Sequence, residues 1–517
     1  MSSAPNQMVV HDATQIASTV DRLRATFDSG VTLSRSWRVA QLQQLKKLLT
    51  EGKEAMSEAL YADLHRSRFE SHLIELNIVE HEVQEALDHL DDWMAPEAKP
   101  TNLLNQPASS AVKRDPLGVA LIMAPWNYPV QLLLGPLVGA IAAGNCALLR
   151  PAEYSSNVSE TLGALVAKYM DPTAFAVTIG GRATTTNALA CRFDKIFFTG
   201  GPTLGKIVLQ AAAAHLTPVT LELGGKSPAY VDKSADVDIA ARRLTWGAFI
   251  NAGQTCVRPD HVLVHADVAD ELVARIGNYV REFYASRAND STEFGYADAA
   301  KGPASIKTSP YFGRIINGGG AITRLAKIVE TDKQYLVLGG DVDVEQRFVA
   351  PTVLDFGADS AAFHASAAMQ AELFGPILPI LRVANAAEAV ASIKRREKPL
   401  AMYIFTTTAA VRTLFETTTS SGGLVFNDAV VHLANSNLPF GGVGHSGMGC
   451  YHGKYSFDEF SHLKAVMYKQ NILDMPARYP PYTGFKRSLI YVRRHYTHNT
   501  NHFLCVFALR APINVLM

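Results

Sequence analysis

Apolar residues at helical spacing open the chain. Ile16, Val20, Leu23 and Phe27 recur at three- or four-residue intervals, as do Leu42, Leu45 and Leu49, then Leu76, Val79, Val83, Leu87 and Leu90. This period predicts a helical lead-in over the first ninety or so residues, with the charged side chains between those positions facing solvent and carrying no chemical role. The polar stretch from Pro96 to Pro107 ends the pattern and predicts an extended arm. From Gly118 the rhythm changes to short β-prone runs, predicted as strands at Gly118 to Met123, Asn145 to Leu149, Phe175 to Ile179, Lys195 to Thr199 and Val219 to Leu223. Helical runs fall between them, at Val130 to Ala143, Ser155 to Tyr169, Thr184 to Cys191 and Thr203 to Ala214. Such alternation predicts βαβ units around a buried parallel sheet, a nucleotide-binding architecture in which ligands lie beyond the carboxyl ends of the strands.

A second α/β region begins near Gly224. Its predicted helices include Asp238 to Ile250 and Val268 to Tyr284, and its strands His261 to His265, Tyr335 to Leu338, Ile377 to Val383, Ala401 to Thr406 and Gly423 to Asn427. Ala285 to Pro310 reads as a long surface loop. The glycine-dense run from Pro439 to Gly449 predicts irregular backbone.

Composition narrows the picture. At 517 residues the chain exceeds a single core, so two or three domains are expected. Lys plus Arg and Asp plus Glu both number 48, with no long block of like charge, which argues against a nucleic-acid partner. The cysteines Cys146, Cys191, Cys256, Cys450 and Cys505 lie far apart without a CxxC pair, a pattern that fits a reducing compartment. Neither a secretory signal nor a run of roughly 20 apolar residues is present, so a soluble cytoplasmic protein is expected.

Two stretches carry candidate chemistry. Gly253-Gln254-Thr255-Cys256-Val257-Arg258 holds a thiol between a glycine and an arginine, where a structural cysteine and a nucleophile are both compatible with the local sequence. Gly200-Gly201-Pro202-Thr203-Leu204-Gly205-Lys206 joins a strand to a helix. It is neither GxGxxG nor a Walker loop, and it fits a phosphate cradle or a plain tight turn.

Further segments accompany them in order: Ala124-Pro125-Trp126-Asn127-Tyr128-Pro129, Leu221-Glu222-Leu223-Gly224-Gly225-Lys226-Ser227-Pro228, Glu372-Leu373-Phe374-Gly375-Pro376, and the run from Leu438 to Gly449 followed by Tyr451-His452-Gly453-Lys454. Together, over roughly Leu42 to Tyr482, the chain resembles the aldehyde dehydrogenases, of the class 3 type. The resemblance implies an α/β fold. Its expected parts are a Rossmann-like NAD(P)-binding domain (1–95 and 113–223), an α/β catalytic domain (224–427), a small β bridging or oligomerisation element (96–112 and 428–470) and a C-terminal tail (483–517).

The resemblance also implies roles. Cys256 would be the nucleophile, adding to an aldehyde so that the resulting alkoxide can expel hydride. The Asn127 amide and the Cys256 backbone N–H would bind the oxyanion, and Glu222 would activate the water that cleaves the thioester. The pyrophosphate of NAD or NADP would lie near Gly200, Gly201 and Gly205 with Trp126 close by, and the nicotinamide end would meet Glu372 and Phe374. Glu153 would face the adenosine ribose, favouring NAD. Arg150 stands where the family usually has lysine, and its planar fork leaves NADP open. Read in isolation, Asn127 is compatible with a helix cap, Glu222 with a carboxylate paired to Lys226, and Arg150 with a solvated surface charge. A homodimer is implied and no metal is called for. The rival readings are transfer of the acyl group to coenzyme A, and a non-catalytic structural or binding protein on the same fold. Past Tyr482 the resemblance stops: Lys486, Arg487, Arg493 and Arg494 precede the short apolar run Phe503 to Leu509, a tail compatible with disorder or with peripheral membrane contact.

Overall fold

A computed structural model describes residues 9–10, 12–102, 105–285, 305–472, 474, 478–484 and 486. Most of the loop expected at Ala285 to Pro310, and nearly all of the tail, lie outside the described residues. The chain forms two compact units, Met1–Trp93 with Pro116–His462, and Met94–Asp115 with Leu463 onward.

The larger unit is built on two sheets. Strands β1 (Val9–Val10), β2 (Val119–Met123), β3 (Cys146–Arg150), β4 (Phe175–Thr178), β5 (Lys195–Thr199) and β6 (Val219–Glu222) lie parallel in the order β1-β4-β3-β2-β5-β6. β2, β3, β4 and β5 are buried at every position, which is why they read as continuous apolar runs and not as alternating ones. Five helices are needed below: α1 (Arg35–Leu64), α2 (Gln131–Ala143), α3 (Arg182–Leu189), α4 (Pro202–Ala213) and α5 (Val237–Phe249). α2 is buried at every position, in keeping with a sequence that is apolar all round.

The second sheet takes β7 (Pro228–Val231), β8 (His261–His265), β9 (Leu336–Leu338), β10 (Thr352–Asp355), β11 (Ile377–Val383), β12 (Ala401–Phe405) and β13 (Gly423–Phe426) in the order β9-β10-β11-β8-β7-β12-β13. Only the β9–β10 pair is antiparallel. β7 escapes the sequence reading because it is four residues long and starts on a proline, yet it lies inside the sheet between β8 and β12.

Three expectations need correction. The glycine-dense run is not wholly irregular, because Gly447–Met448 (β14) pairs antiparallel with Glu222 and Leu221 and closes the first sheet. Gly447 makes this approach possible, since at its φ of +144° a Cβ would lie 2.2 Å from the Leu221 carbonyl oxygen. Residues 428–462, expected in the bridging element, belong to the larger unit, and the boundary expected at 223/224 separates two sheets of one compact unit. The charges of the lead-in are not all solvated: Arg66 and Glu75 are fully buried as an ion pair, each offsetting the cost of desolvating the other.

The smaller unit carries a three-stranded sheet in the order Ser461–Lys469, Ala108–Pro116, Glu97–Lys99. Among the described residues, no helix is long and apolar enough to cross a membrane.

Candidate functional site

The loop after α5 is built to hold a strained backbone. Asn251 (φ 52°), Ala252 (φ 51°) and Gly253 (φ 74°) are left-handed in succession, a conformation that costs L residues roughly 1–2 kcal/mol each. Gly253 has no alternative residue, because a Cβ there would sit 2.4 Å from the Gly375 carbonyl oxygen. The strain is offset by hydrogen bonds. The Asn251 backbone N–H donates to Glu70 (2.8 Å), and its side-chain amide donates to the carbonyls of Asn127 (2.9 Å) and Gln254 (3.1 Å). The Gln254 amide donates to the carbonyls of Asn251 and Arg314, and its oxygen accepts from the Ile316 N–H.

Cys256 follows this loop and lies at a cavity of about 210 Å³. Leu73, Ile74, Ile78, Leu132, Ile250, Val431, Leu433 and Ala434 line it with the aromatic residues Tyr128, Trp246, Phe440 and Tyr451. The thiol is pushed up to about 12, first by burial and then by the carboxylates of Glu372 and Glu222. Arg258 is turned to backbone carbonyls. It is buried and donates to the carbonyls of Ala248 (3.0 Å) and Ile377 (2.7 Å), tying α5 to β11.

Asn127, though 129 residues before Cys256, is brought to the same loop. Its side-chain amide donates to the Gln254 carbonyl at 3.0 Å, and its own carbonyl accepts from Arg66 and Asn251. It caps no helix: Val130 is the N-cap of α2 and has no side-chain cap, while the N–H groups of Val130 and Gln131 donate to Glu75 at 2.7 and 3.0 Å. Glu222 ends β6 at 2 % exposure, with neither carboxylate oxygen hydrogen-bonded among the described residues. Burial, with Glu459 second, raises its carboxyl well above the usual range. It is not paired with Lys226, whose ammonium pairs with Asp260 and donates to the carbonyls of Ala368 and Ala371.

A second cavity, of about 550 Å³, opens at the carboxyl ends of the first sheet. Trp126, Arg150, Glu153, Gly200 and Gly201 line it, together with Tyr154, Arg182, Thr185, Thr199 and Thr203. Phe374 stands edge-on to Trp126 at 5.3 Å between ring centroids. Glu372 packs its carboxylate against Gly224 and is raised to about 8, chiefly by burial and then by Asp260. Gly205 is buried and faces Leu223. Arg150 is not a surface charge: at 6 % exposure its guanidinium donates to the carbonyls of Pro151 and Gly180 and to Thr185 Oγ1 (3.1 Å).

These residues fit a dinucleotide. A Cβ at Gly201, the N-cap of α4, would meet no described atom within 4 Å, so bare backbone is open where the helix N-terminus favours an anion. Thr199 Oγ1 and Glu372 Oε1 are buried polar atoms without partners among the described residues.

Sequence reasoning missed the network beneath the site: Arg66, Glu70, Glu75, Asn251 and the Gln254 side chain. One signal was available. Glu75 sits between Ile74 and Leu76 in an otherwise apolar stretch, now seen as a π-helical turn (His72–Leu76), and such turns recur at functional sites.

An open parallel sheet with a cavity at its carboxyl ends, beside a thiol, an amide and a buried carboxylate, defines a nucleotide-dependent oxidoreductase of the thiol type. The chain belongs to the aldehyde dehydrogenase family, whose family model matches residues 6–466. It is 44% identical over 468 residues to human aldehyde dehydrogenase family 3 member B1, covering 90% of this chain and 94% of that one. It is 40% identical over 469 residues to the rat aldehyde dehydrogenase described as dimeric and NADP-preferring, covering 90% and 98%. The substrate-bound structure of Staphylococcus aureus AldH superposes with a TM-score of 0.85 at 39% identity, covering 93% of this chain and 99% of that one. The protein is an NAD(P)-dependent aldehyde dehydrogenase, forming a carboxylic acid from an aldehyde.

Proposed function

We propose that Cys256, Asn127 and Glu222 carry the reaction. The Cys256 sulfur, on losing its proton to solvent, forms a C–S bond to the aldehyde carbon and places negative charge on the carbonyl oxygen. Asn127 and the Cys256 N–H stabilise that charge. NAD(P)⁺, when bound, supplies the acceptor for the hydride released as the C=O bond re-forms. Glu222 then takes a proton from water, whose oxygen adds to the thioester; the C–S bond breaks as Glu222 returns that proton to the sulfur, and the thiol and a carboxylic acid result. The observation that carries this reading is the pair of buried Glu222 oxygens, unpartnered among the described residues, in the electrostatic neighbourhood of Cys256. Such a group is costly to keep unless it meets substrate or water during turnover.

Trp126, Gly200 and Gly201 would hold the pyrophosphate side of the cofactor, Glu372 and Phe374 its nicotinamide side, and Glu153 its adenosine ribose, with the first sheet as the cofactor lobe and the second as the catalytic lobe. Gly205, buried in α4, packs against Leu223. The uncharged wall of the Cys256 cavity favours apolar aldehydes. The rat relative's description as dimeric supports a homodimer, and the free thiols Cys146, Cys191, Cys256 and Cys450 support a reducing, cytoplasmic setting.

The test is a panel of aldehydes of graded chain length with NAD⁺ and NADP⁺, with the free acid quantified. Wild-type enzyme should release free acid even with coenzyme A present, and Cys256→Ala should release none. Full activity in Cys256→Ala overturns the assignment.

A further inference from the structure

We infer that Arg182 is the residue that admits NADP, by pairing with the phosphate on the adenosine 2′-oxygen. The inference rests on the reading of the larger cavity as the cofactor site. The two ends of that cavity are distinguishable by topology. Trp126, against Phe374 and next to Asn127, whose amide donates to the Gln254 carbonyl, marks the end towards Cys256. Glu153 lies in the loop after β3 and Arg182 opens α3 after β4, and these strands stand three and four places from β6, which carries Glu222. The Glu153 end therefore meets the adenosine half.

Arg150 is the basic residue that sequence suggests for a 2′-phosphate, but both terminal nitrogens of its fork are already engaged. It lies buried against the carbonyls of Pro151 and Gly180 and the Thr185 hydroxyl, so it braces the β3 and β4 loops. Arg182 is different. It is exposed, lines the same cavity, and has no ion-pair partner among the described residues. Gly181 separates it from Glu153: a Cβ on Gly181 would lie 2.8 Å from Glu153 Oε2, so that carboxylate rests over the Gly181 backbone. A carboxylate packed on Gly181 and the guanidinium of the next residue thus line one cavity. Glu153 accepts hydrogen bonds from a ribose diol and repels a phosphate placed there. Arg182 offers a bidentate fork to that phosphate and gains little from an unmodified ribose. Opposite charges so placed allow both cofactors.

The test measures binding as well as turnover. ADP-ribose and 2′-phospho-ADP-ribose are titrated calorimetrically into wild type, Arg182→Gln and Glu153→Gln, and kcat/KM is measured for NAD⁺ and NADP⁺. In Arg182→Gln, affinity for the 2′-phosphorylated probe and kcat/KM for NADP⁺ should each fall about tenfold, with ADP-ribose and NAD⁺ changed less than about twofold. Raising the salt concentration should narrow that gap. Glu153→Gln should shift the preference the other way. Equal losses for both probes, an unchanged ratio, or a wild type that turns over no NADP⁺ each overturn the inference and leave the cofactor site standing. A wild type that binds neither probe overturns the cofactor reading itself, and this inference with it.

Discussion

The Arg66 guanidinium donates to the backbone carbonyl of Asn127, the residue proposed to receive the oxyanion. The same guanidinium donates to Asn251 Oδ1 at 3.3 Å and pairs with Glu75. One buried cation therefore ties three elements together: the end of α1, the turn before α2, and the left-handed loop before Cys256. Arg66→Met should lower stability by about 3–5 kcal/mol, because Glu75 is left buried without its partner. Arg66→Lys keeps the charge but not the planar fork. It should lower the thermal midpoint less while reducing kcat at least about tenfold, with KM for the cofactor little changed, as differential scanning fluorimetry and steady-state kinetics will show. Wild-type kcat in Arg66→Lys would disprove the link.

Removal of the Asn127 amide tests the oxyanion assignment. Asn127→Ala should cost about 2.7–4 kcal/mol in the transition state, a loss of about 10²–10³ in kcat. Folding should be only modestly affected, because the main-chain carbonyl that Arg66 and Asn251 use is retained. A kcat within threefold of wild type would remove Asn127 from the chemistry.

Much of this was legible in the sequence, for definite reasons. The strands Val119–Met123 and Lys195–Thr199 are continuous apolar runs that contrast with the helices around them, so their type and order could be read directly. Cys256, Asn127 and Glu222 were singled out because each sits in a distinctive motif. What could not be read is what depends on pairing across long separations. Arg66 looks like any charge at a helix end until Glu75, Asn127 and Asn251 are placed around it. Arg150 illustrates the converse: its chemistry suits a phosphate, yet neighbouring carbonyls claim its donors. The fate of Gly447 was hidden because a glycine that permits a strand pair and one that breaks structure look the same in a one-dimensional chain.

Glu222 should separate the two halves of the reaction. Glu222→Gln keeps the side-chain volume and removes the base, so hydride release can proceed while hydrolysis stalls. Rapid mixing with aldehyde and cofactor should give a burst of NAD(P)H approaching one equivalent per active site, then turnover at least about 100-fold below wild type. Mass spectrometry of the quenched enzyme should find the acyl group on Cys256. Hydrolysis at the wild-type rate would assign the base elsewhere.

The cofactor-free thiol offers a pH test with a definite sign. Thiolate is the reactive form, and Cys256 is pushed up to about 12, so alkylation by iodoacetamide should be slow at pH 7 and should not level off by pH 9, as an ordinary cysteine near about 8.5 begins to do. The fixed shift alone predicts a rise of about tenfold per pH unit. Glu372 modifies it, because its carboxyl is raised to about 8 and so ionises within this window. Each proton it loses adds negative charge beside Cys256 and makes the thiolate harder to form. The wild-type rate should therefore climb by less than tenfold per unit between pH 7.5 and 8.5, about half a unit either side of that value. In Glu372→Gln, which stays neutral throughout, the rise should be steeper than in wild type and the rate at pH 9 higher, with Glu222 the carboxylate that still acts on the thiol. Peptide mapping must follow Cys256 itself, because Cys191 and Cys450 are also free. Identical pH profiles in the two proteins would show that Glu372 does not act on the thiol, and a wild-type plateau below pH 9 would show that burial does not hold it protonated.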